Sequence, residues 1–179
     1  MKKLIMAVAI VCAAVASHGA SVSWSAGKIF NGTESATGVG TGTAYLFLAS
    51  SLSQSDAVSY FADSKISDIT GGAIGSYSIA DSKVAYNTIT DVTAPTSASS
   101  FYYIVFNGDN MLVSDAVTST YDLVTQIHAV EFASSRDYAK ALPSTGAYSG
   151  AGWYAVPEPT SGLLMLLGMA GLALRRKRA

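Results

Sequence analysis

Cysteine and histidine are almost absent from this chain of 179 residues. The single cysteine is Cys12, and the two histidines are His18 and His128. Cys12 and His18 both lie in the N-terminal segment, so the remainder of the chain has one histidine and no thiol. This excludes disulfides, a cysteine nucleophile and a zinc–cysteine site from that remainder. We therefore predict no metal site and no cofactor, and the fold must be stabilised by packing.

Positive charge is also scarce away from the ends of the chain. Six of the eleven basic residues lie in the two terminal segments, which leaves five basic against twelve acidic residues, with Glu158 counted, and a formal balance near −7. A field of this sign does not attract nucleic acid, anionic lipid or acidic polysaccharide. We therefore predict no nucleic-acid partner.

The N-terminal segment has the three parts of a secretory signal peptide. Two lysines precede an apolar run over residues 4–15, and small residues follow up to Ala20. The pattern predicts a signal peptide over residues 1–20, cleaved after Ala16 or Ala20, and export by the secretion machinery. An uncleaved membrane helix is the alternative, but the apolar run is shorter than the ~20 residues that a span needs.

The C-terminal segment contains a proline motif, an apolar stretch and a basic end, in that order. The motif is Val156, Pro157, Glu158 and Pro159, and the basic end is Arg175, Arg176, Lys177 and Arg178. The prolines remove backbone donors and disfavour a helix entering from upstream, so the motif should be extended and accessible. Residues 162–174 predict a marginal membrane helix, because a helix rises only about 1.5 Å per residue. The basic end should stay on the cytoplasmic side.

These three elements resemble the PEP-CTERM sorting signal of bacteria that carry an exosortase. The resemblance is confined to residues 156–179. It implies that an intramembrane cysteine protease or transpeptidase recognises Glu158 and its flanking prolines and removes the tail from a precursor anchored in the inner membrane. It also implies display at the cell surface or in an extracellular matrix, with exopolysaccharide or other surface proteins as candidate partners. A plain membrane anchor is the alternative and leaves the domain in the same compartment.

Residues 21–155 have the pattern of a single secreted β-rich domain. Short apolar or alternating runs bounded by turn residues predict strands. The predicted strands lie at 43–48, 65–69, 76–79, 83–90, 101–106, 111–113, 127–132 and 152–156. Ser53 followed by Asp56 predicts the start of one short helix. The predicted fold class is mainly β, a single antiparallel sheet or a small β-sandwich with one short helix.

Two local patterns concern turns. The tetrapeptide Asn107-Gly108-Asp109-Asn110 joins two apolar runs and predicts a hairpin turn, since no series of oxygen ligands continues from it as in a calcium loop. The pentapeptide at 62–66, Ala-Asp-Ser-Lys-Ile, recurs at 80–84 with Val in place of Ile. We interpret both copies as polar turns that lead into strands.

The sequence carries no signature of catalysis. His128 is the only candidate base, and we interpret it as a surface or half-buried histidine of a strand because no Gly-x-Ser-x-Gly motif accompanies it. Asp122, Glu131 and Asp137 are candidates for a glycosidase carboxylate pair, but no pattern brings two of them together. We predict a protein that is not an enzyme, and a small secreted hydrolase is the alternative.

Aromatic residues leave a binding function open. Trp24, Trp153 and Tyr154 are candidates for stacking on sugar rings, as in a secreted carbohydrate-binding domain. The competing interpretation is that these side chains fill a β core, where aromatic residues are enriched. The sequence favours the core.

Overall fold

The computed structural model describes residues 19–31, 37–135 and 147–155. The predicted signal peptide falls almost entirely outside these residues, and the predicted membrane helix and sorting signal fall entirely outside them. None of the helices in the described ranges is long and apolar enough to cross a membrane.

Ten strands and two helices occur in the described ranges. The strands are β1 (Ala20–Ala26), β2 (Gly42–Leu48), β3 (Gly75–Ile79), β4 (Val84–Val92), β5 (Ser100–Asn107), β6 (Asn110–Val113), β7 (Val117–Thr118), β8 (Thr120–Asp122), β9 (Ile127–Phe132) and β10 (Gly152–Ala155). The helices are α1 (Gln54–Ala62) and α2 (Ile66–Gly71). The mainly β class is therefore confirmed.

The strands form two sheets. The four-stranded sheet has the order β4-β1-β9-β8, and the six-stranded sheet runs β10-β6-β5-β2-β3 with β7 paired to β5. The single-sheet alternative is therefore wrong, and two packed sheets are what the structure contains. The sheets are also not wholly antiparallel, because β1 and β9 pair in parallel from Ser21 with Ile127 to Ala26 with Phe132.

Two apolar cores hold the layers together. The inter-sheet core lies between the two sheets and includes Val22, Trp24, Leu46, Tyr103, Val130, Phe132 and Trp153. The helix-side core lies between the other face of the six-stranded sheet and the two helices, and includes Phe47, Val58, Phe61, Ile69, Tyr102, Ile104 and Tyr154. The six-stranded sheet is thus covered on both faces. Its central strand β5 is buried at five successive residues for this reason.

The predicted hairpin is confirmed. Strands β5 and β6 pair from Ile104 with Val113 to Asn107 with Asn110. Gly108 is the first residue between the strands and has a φ of +56°, a conformation that glycine adopts without strain. This tetrapeptide is therefore a hairpin turn.

The helical region was predicted in part. Helix α1 is confirmed, and Ser53 caps it by accepting a hydrogen bond from the Asp56 backbone N–H at 3.1 Å. The strand predicted at 65–69 is wrong, because these residues enter α2 and Ile69 packs into the helix-side core. The first copy of the repeated pentapeptide therefore leads into a helix, and only the second leads into a strand.

Candidate functional site

The candidate site is the end of the domain at which the proline motif begins. Strand β10 is the last described element and lies at an edge of the six-stranded sheet. It pairs with β6 along its whole length, from Gly152 with Val113 to Ala155 with Asn110. Ala155 therefore lies beside the β5–β6 turn, and Val156 follows it directly in the sequence.

Two aromatic side chains fix β10 from opposite faces of the sheet. Trp153 points into the inter-sheet core, and its indole N–H donates to the Phe30 carbonyl at 3.1 Å. Tyr154 points into the helix-side core, and its hydroxyl donates to the Gly150 carbonyl at 2.5 Å. The same hydroxyl accepts from the Ser149 N–H at 3.1 Å. The attachment point of the tail is therefore part of the packed domain.

The length of the connection follows from chain geometry. Glu158 is three residues beyond Ala155, and an extended chain advances at most about 3.5 Å per residue. A connection of three residues therefore spans at most roughly 10 Å.

The comparison with protein families supports this site. The model of the PEP-CTERM protein-sorting motif matches residues 155–178. This chain carries a PEP-CTERM sorting motif. The match begins at Ala155, the last residue of β10, and the motif implies an exported protein that an exosortase sorts. Neither the curated proteins nor the solved structures give a significant match.

The PEP-CTERM residues predicted from the sequence lie beyond the described part of the chain. They are Val156, Pro157, Glu158 and Pro159 in the motif, and Arg175, Arg176, Lys177 and Arg178 in the basic end. Their order and types agree with the family match. Their individual roles stay predictions.

The candidate stacking aromatics lie inside the domain. The exposed fractions of Trp24, Trp153 and Tyr154 are 0%, 2% and 2%. Trp24 is enclosed by other rings, with centroid distances of 5.8 Å to Tyr77 and 5.9 Å to Phe132. A sugar ring needs an open aromatic face, and none of the three residues has one here.

His128 is fully buried, contrary to the surface or half-buried position predicted. Its Nε2 lies 2.9 Å from the Pro95 carbonyl, and its Nδ1 lies 2.9 Å from the Ser119 hydroxyl oxygen. Because a carbonyl only accepts, Nε2 must carry the proton in the neutral ring, and Nδ1 then accepts from Ser119. The Ser119 oxygen accepts in turn from the Ser99 N–H at 3.1 Å. Burial lowers the pKa of His128, and the hydrogen bond to Pro95 partly opposes that shift.

This network ties the connection between β4 and β5 to the four-stranded sheet. Pro95 and Ser99 belong to that connection, and Ser119 adjoins β8. Nothing in the sequence pairs Ser119 with His128, because nine residues and a turn separate them. Both side chains of the pair are buried.

The carboxylates proposed for glycoside cleavage do not meet at His128. Asp122 pairs with Ile127, and Glu131 is three residues from His128 in the same strand, so both project from the opposite face of the sheet. Asp122 instead accepts from the backbone of Val124 at 2.8 Å, and such bonds lower the pKa of its carboxyl. Asp137 lies outside the described ranges. Within those ranges no three His, Cys, Asp or Glu residues form a metal site.

A cleft of about 190 Å³ lies where the two sheets meet near the end of β9. Tyr103 and Phe132 contribute to its wall, together with Asp115 and Ser134. The exposed fractions of the two aromatic residues are only 0% and 6%. The cleft therefore offers no aromatic platform for a sugar.

Proposed function

We propose that this chain is an exported cell-surface or extracellular-matrix protein with a structural or interaction role. An exosortase-like enzyme processes it at the Pro157-Glu158-Pro159 signal. Before processing, the segment 162–174 holds the precursor in the inner membrane. After processing, the β domain is displayed outside that membrane.

The observation that carries the proposal is the family match at residues 155–178, which starts where the last strand ends. The start of the match at the last residue of β10 supports the division of the chain into a packed domain and a tail that is removed. Removal of residues from 157 onward leaves every described contact of Trp153 and Tyr154 in place. The tail can therefore be removed without loss of the core.

A role without catalysis agrees with the side chains of the domain. His128 is enclosed by its hydrogen-bond partners and by the Phe101 and Tyr121 rings, with centroids 5.3 and 4.6 Å away. Asp122 and Glu131 are exposed on the opposite face of the sheet. Carbohydrate binding through Trp24, Trp153 or Tyr154 is not part of the proposal, because all three are buried.

The test is the intact mass of the protein recovered from cells with and without an active exosortase. We expect the exosortase strain to yield a protein that lacks the C-terminal tail, and the deletion strain to retain the tail. Glu158→Ala should also retain the tail. Glu131→Ala is the matched control, since it removes an exposed acid from β9, and it should be processed normally.

Three outcomes would overturn the proposal. The first is a full-length tail in the strain with active exosortase. The second is recovery of the protein from the cytoplasm. The third is equal processing of Glu158→Ala and Glu131→Ala, which would remove the motif as the recognition element.

A further inference from the structure

Strand β4 forms an edge of the four-stranded sheet and is nine residues long. Between Val84 and Val92 it contains no lysine, arginine or proline, and Asp91 is its only charged residue. Edge strands with such sequences can pair with another chain, and proteins use charges, prolines or bulges to prevent this. The irregular register at both ends of the β1–β4 pairing confines the regular ladder to Asn87–Ile89.

Thr88 is the centre of this regular part, and side chains bind both of its backbone groups. The Thr88 N–H donates to the Asn87 side-chain oxygen at 2.9 Å. The Thr88 carbonyl accepts from the Tyr77 hydroxyl at 2.9 Å. Both groups therefore point away from β1, toward the free edge, and both are already satisfied.

The contact between Ser23 and Thr88 supports this orientation. The two residues are directly opposite each other in the β1–β4 ladder, and their hydroxyl oxygens are 2.7 Å apart. Opposed side chains come closest in the pairs of an antiparallel ladder that do not exchange backbone hydrogen bonds. Thr88 therefore has its N–H and carbonyl free of β1. Of Asn87, Thr88 and Ile89, Thr88 is therefore the residue whose backbone N–H and carbonyl point toward the free edge of β4.

Tyr77 reaches Thr88 from the other sheet. It belongs to β3, the edge strand of the six-stranded sheet, and its ring packs on Trp24. Ile89 approaches the same strand so closely that a Cβ atom on Gly75 would lie 2.5 Å from its side chain. The edge strand β3 of one sheet and the edge strand β4 of the other are thus in contact along one side of the sandwich.

We propose that Asn87 and Tyr77 close the free edge of β4, and that this edge, once opened, pairs with β4 of a second copy of the chain. A second copy fits because antiparallel pairing about a two-fold axis places Thr88 opposite Thr88. Two opposed residues then exchange both hydrogen bonds, so each freed N–H meets a freed carbonyl. This inference does not depend on the sorting of the protein.

The test compares the self-association of wild type and variants of the full chain, kept in detergent and measured by sedimentation velocity. The salt concentration is about 0.15 M, because salt screens the repulsion between the acidic domains. We expect Tyr77→Phe with Asn87→Ala to associate at least about tenfold more tightly than wild type, through backbone hydrogen bonds between copies. Tyr77→Phe keeps the ring that packs on Trp24. The matched control is Tyr86→Phe with Thr90→Ala, which alters two exposed residues of the same strand and should associate like wild type.

A third change tests the pairing itself. Thr88→Lys is added to the variant that carries Tyr77→Phe and Asn87→Ala. It places two positive charges opposite each other across the two-fold axis of the dimer, and it should restore the association constant of the wild type. Circular dichroism must show that each variant is folded. A folded opened variant that associates no more tightly than wild type would overturn the proposal. Tight association that Thr88→Lys does not reverse would also overturn it, because the contact would then lie elsewhere.

Discussion

The two sheets of this domain differ in how many of their faces are covered. The six-stranded sheet packs against the other sheet on one face and against α1 and α2 on the other, whereas, among the described residues, the four-stranded sheet joins a core only through its inner face. Of the outer-face residues of β1, Ser21 and Ser25 are half-buried and Ser23 is buried. The comparison indicates that stability is concentrated in the six-stranded sheet, and that the open face of the other sheet contributes little.

The largest expected effect comes from removing β10. Deletion of residues 152–179 removes Trp153 and Tyr154 from both cores of the six-stranded sheet. Truncation of one large buried aromatic costs about 3–5 kcal/mol, and a whole domain has only about 5–15 kcal/mol of stability. We expect this protein to lose its cooperative thermal transition and its near-ultraviolet circular dichroism.

Deletion of residues 157–179 is the matched control for that experiment. It leaves β10 intact and should melt at the temperature of the processed protein. A cooperative transition in the shorter protein would show that β10 is not needed for the six-stranded sheet, and the comparison between the sheets would then lose its main support.

Tyr102 tests the helix-side core of the six-stranded sheet. Its ring stacks on Phe47 with centroids 5.2 Å apart, and its hydroxyl donates to the Leu52 carbonyl at 2.9 Å. Tyr102→Ala should lower the free energy of unfolding by about 4 kcal/mol in urea titrations. Tyr102→Phe keeps the ring and should cost about 1 kcal/mol for the lost hydrogen bond. Equal effects would contradict a packing role for the ring.

His128 tests the inner face of the four-stranded sheet. Burial lowers its pKa in the folded state, so the unfolded chain binds a proton first as the pH falls. Stability from the neutral ring is therefore complete above the unfolded pKa of about 6.5 and is lost as the pH falls toward the lower folded value. His128→Asn should cost about 2 kcal/mol at pH 8 and show a smaller further loss between pH 7 and 5. An equal acid-induced loss in both proteins would assign the pH dependence to other groups.

The strands of the two sheets also differ in how clearly the sequence predicts them. Strand β9 alternates between buried and exposed residues, and the hairpin of β5 and β6 has a clear turn signal, so the sequence predicts both. In the sequence of β1, serine also alternates with apolar residues, but the strand begins at Ala20, where the signal-peptide pattern ends, and the sequence analysis predicts no strand there. The two copies of Ala-Asp-Ser-Lys show the limit of local pattern. Both contain residues with positive φ, Ser64 in one copy and Asp81 and Ser82 in the other, yet one precedes a helix and the other a strand.

The candidate site was predictable to a similar extent. The PEP-CTERM motif is a continuous segment, so the sequence alone reveals its three parts. The hydrogen bonds of Trp153 to Phe30 and of His128 to Pro95 join residues that are distant in the chain. Such contacts depend on sheet topology, which no local pattern specifies.

Ser53 tests how firmly the helical layer covers the six-stranded sheet. Its side chain caps α1, and Ser53→Ala should lower the free energy of unfolding by about 1 kcal/mol. Ser59→Ala, at an exposed position in the middle of the helix, is the control and should change stability by less, since alanine is a better helix former. The measurement is urea unfolding followed by far-ultraviolet circular dichroism. A larger loss for Ser59→Ala would argue against the cap.

The smallest effect is expected on the open face of the four-stranded sheet. Ser23→Ala removes the 2.7 Å hydrogen bond with Thr88 and should cost about 0.5 kcal/mol, because the Thr88 hydroxyl can bind water instead. Thr88→Val, alone and with Ser23→Ala, completes a double-mutant cycle in urea that isolates the pair. Ser23 is buried and Thr88 is exposed, so a coupling energy near that of a buried hydrogen bond, about 1.5 kcal/mol or more, would mean that Thr88 is shielded from water as well. The two sheets would then be equally covered, and an unidentified layer over β1 and β4 would have to be sought.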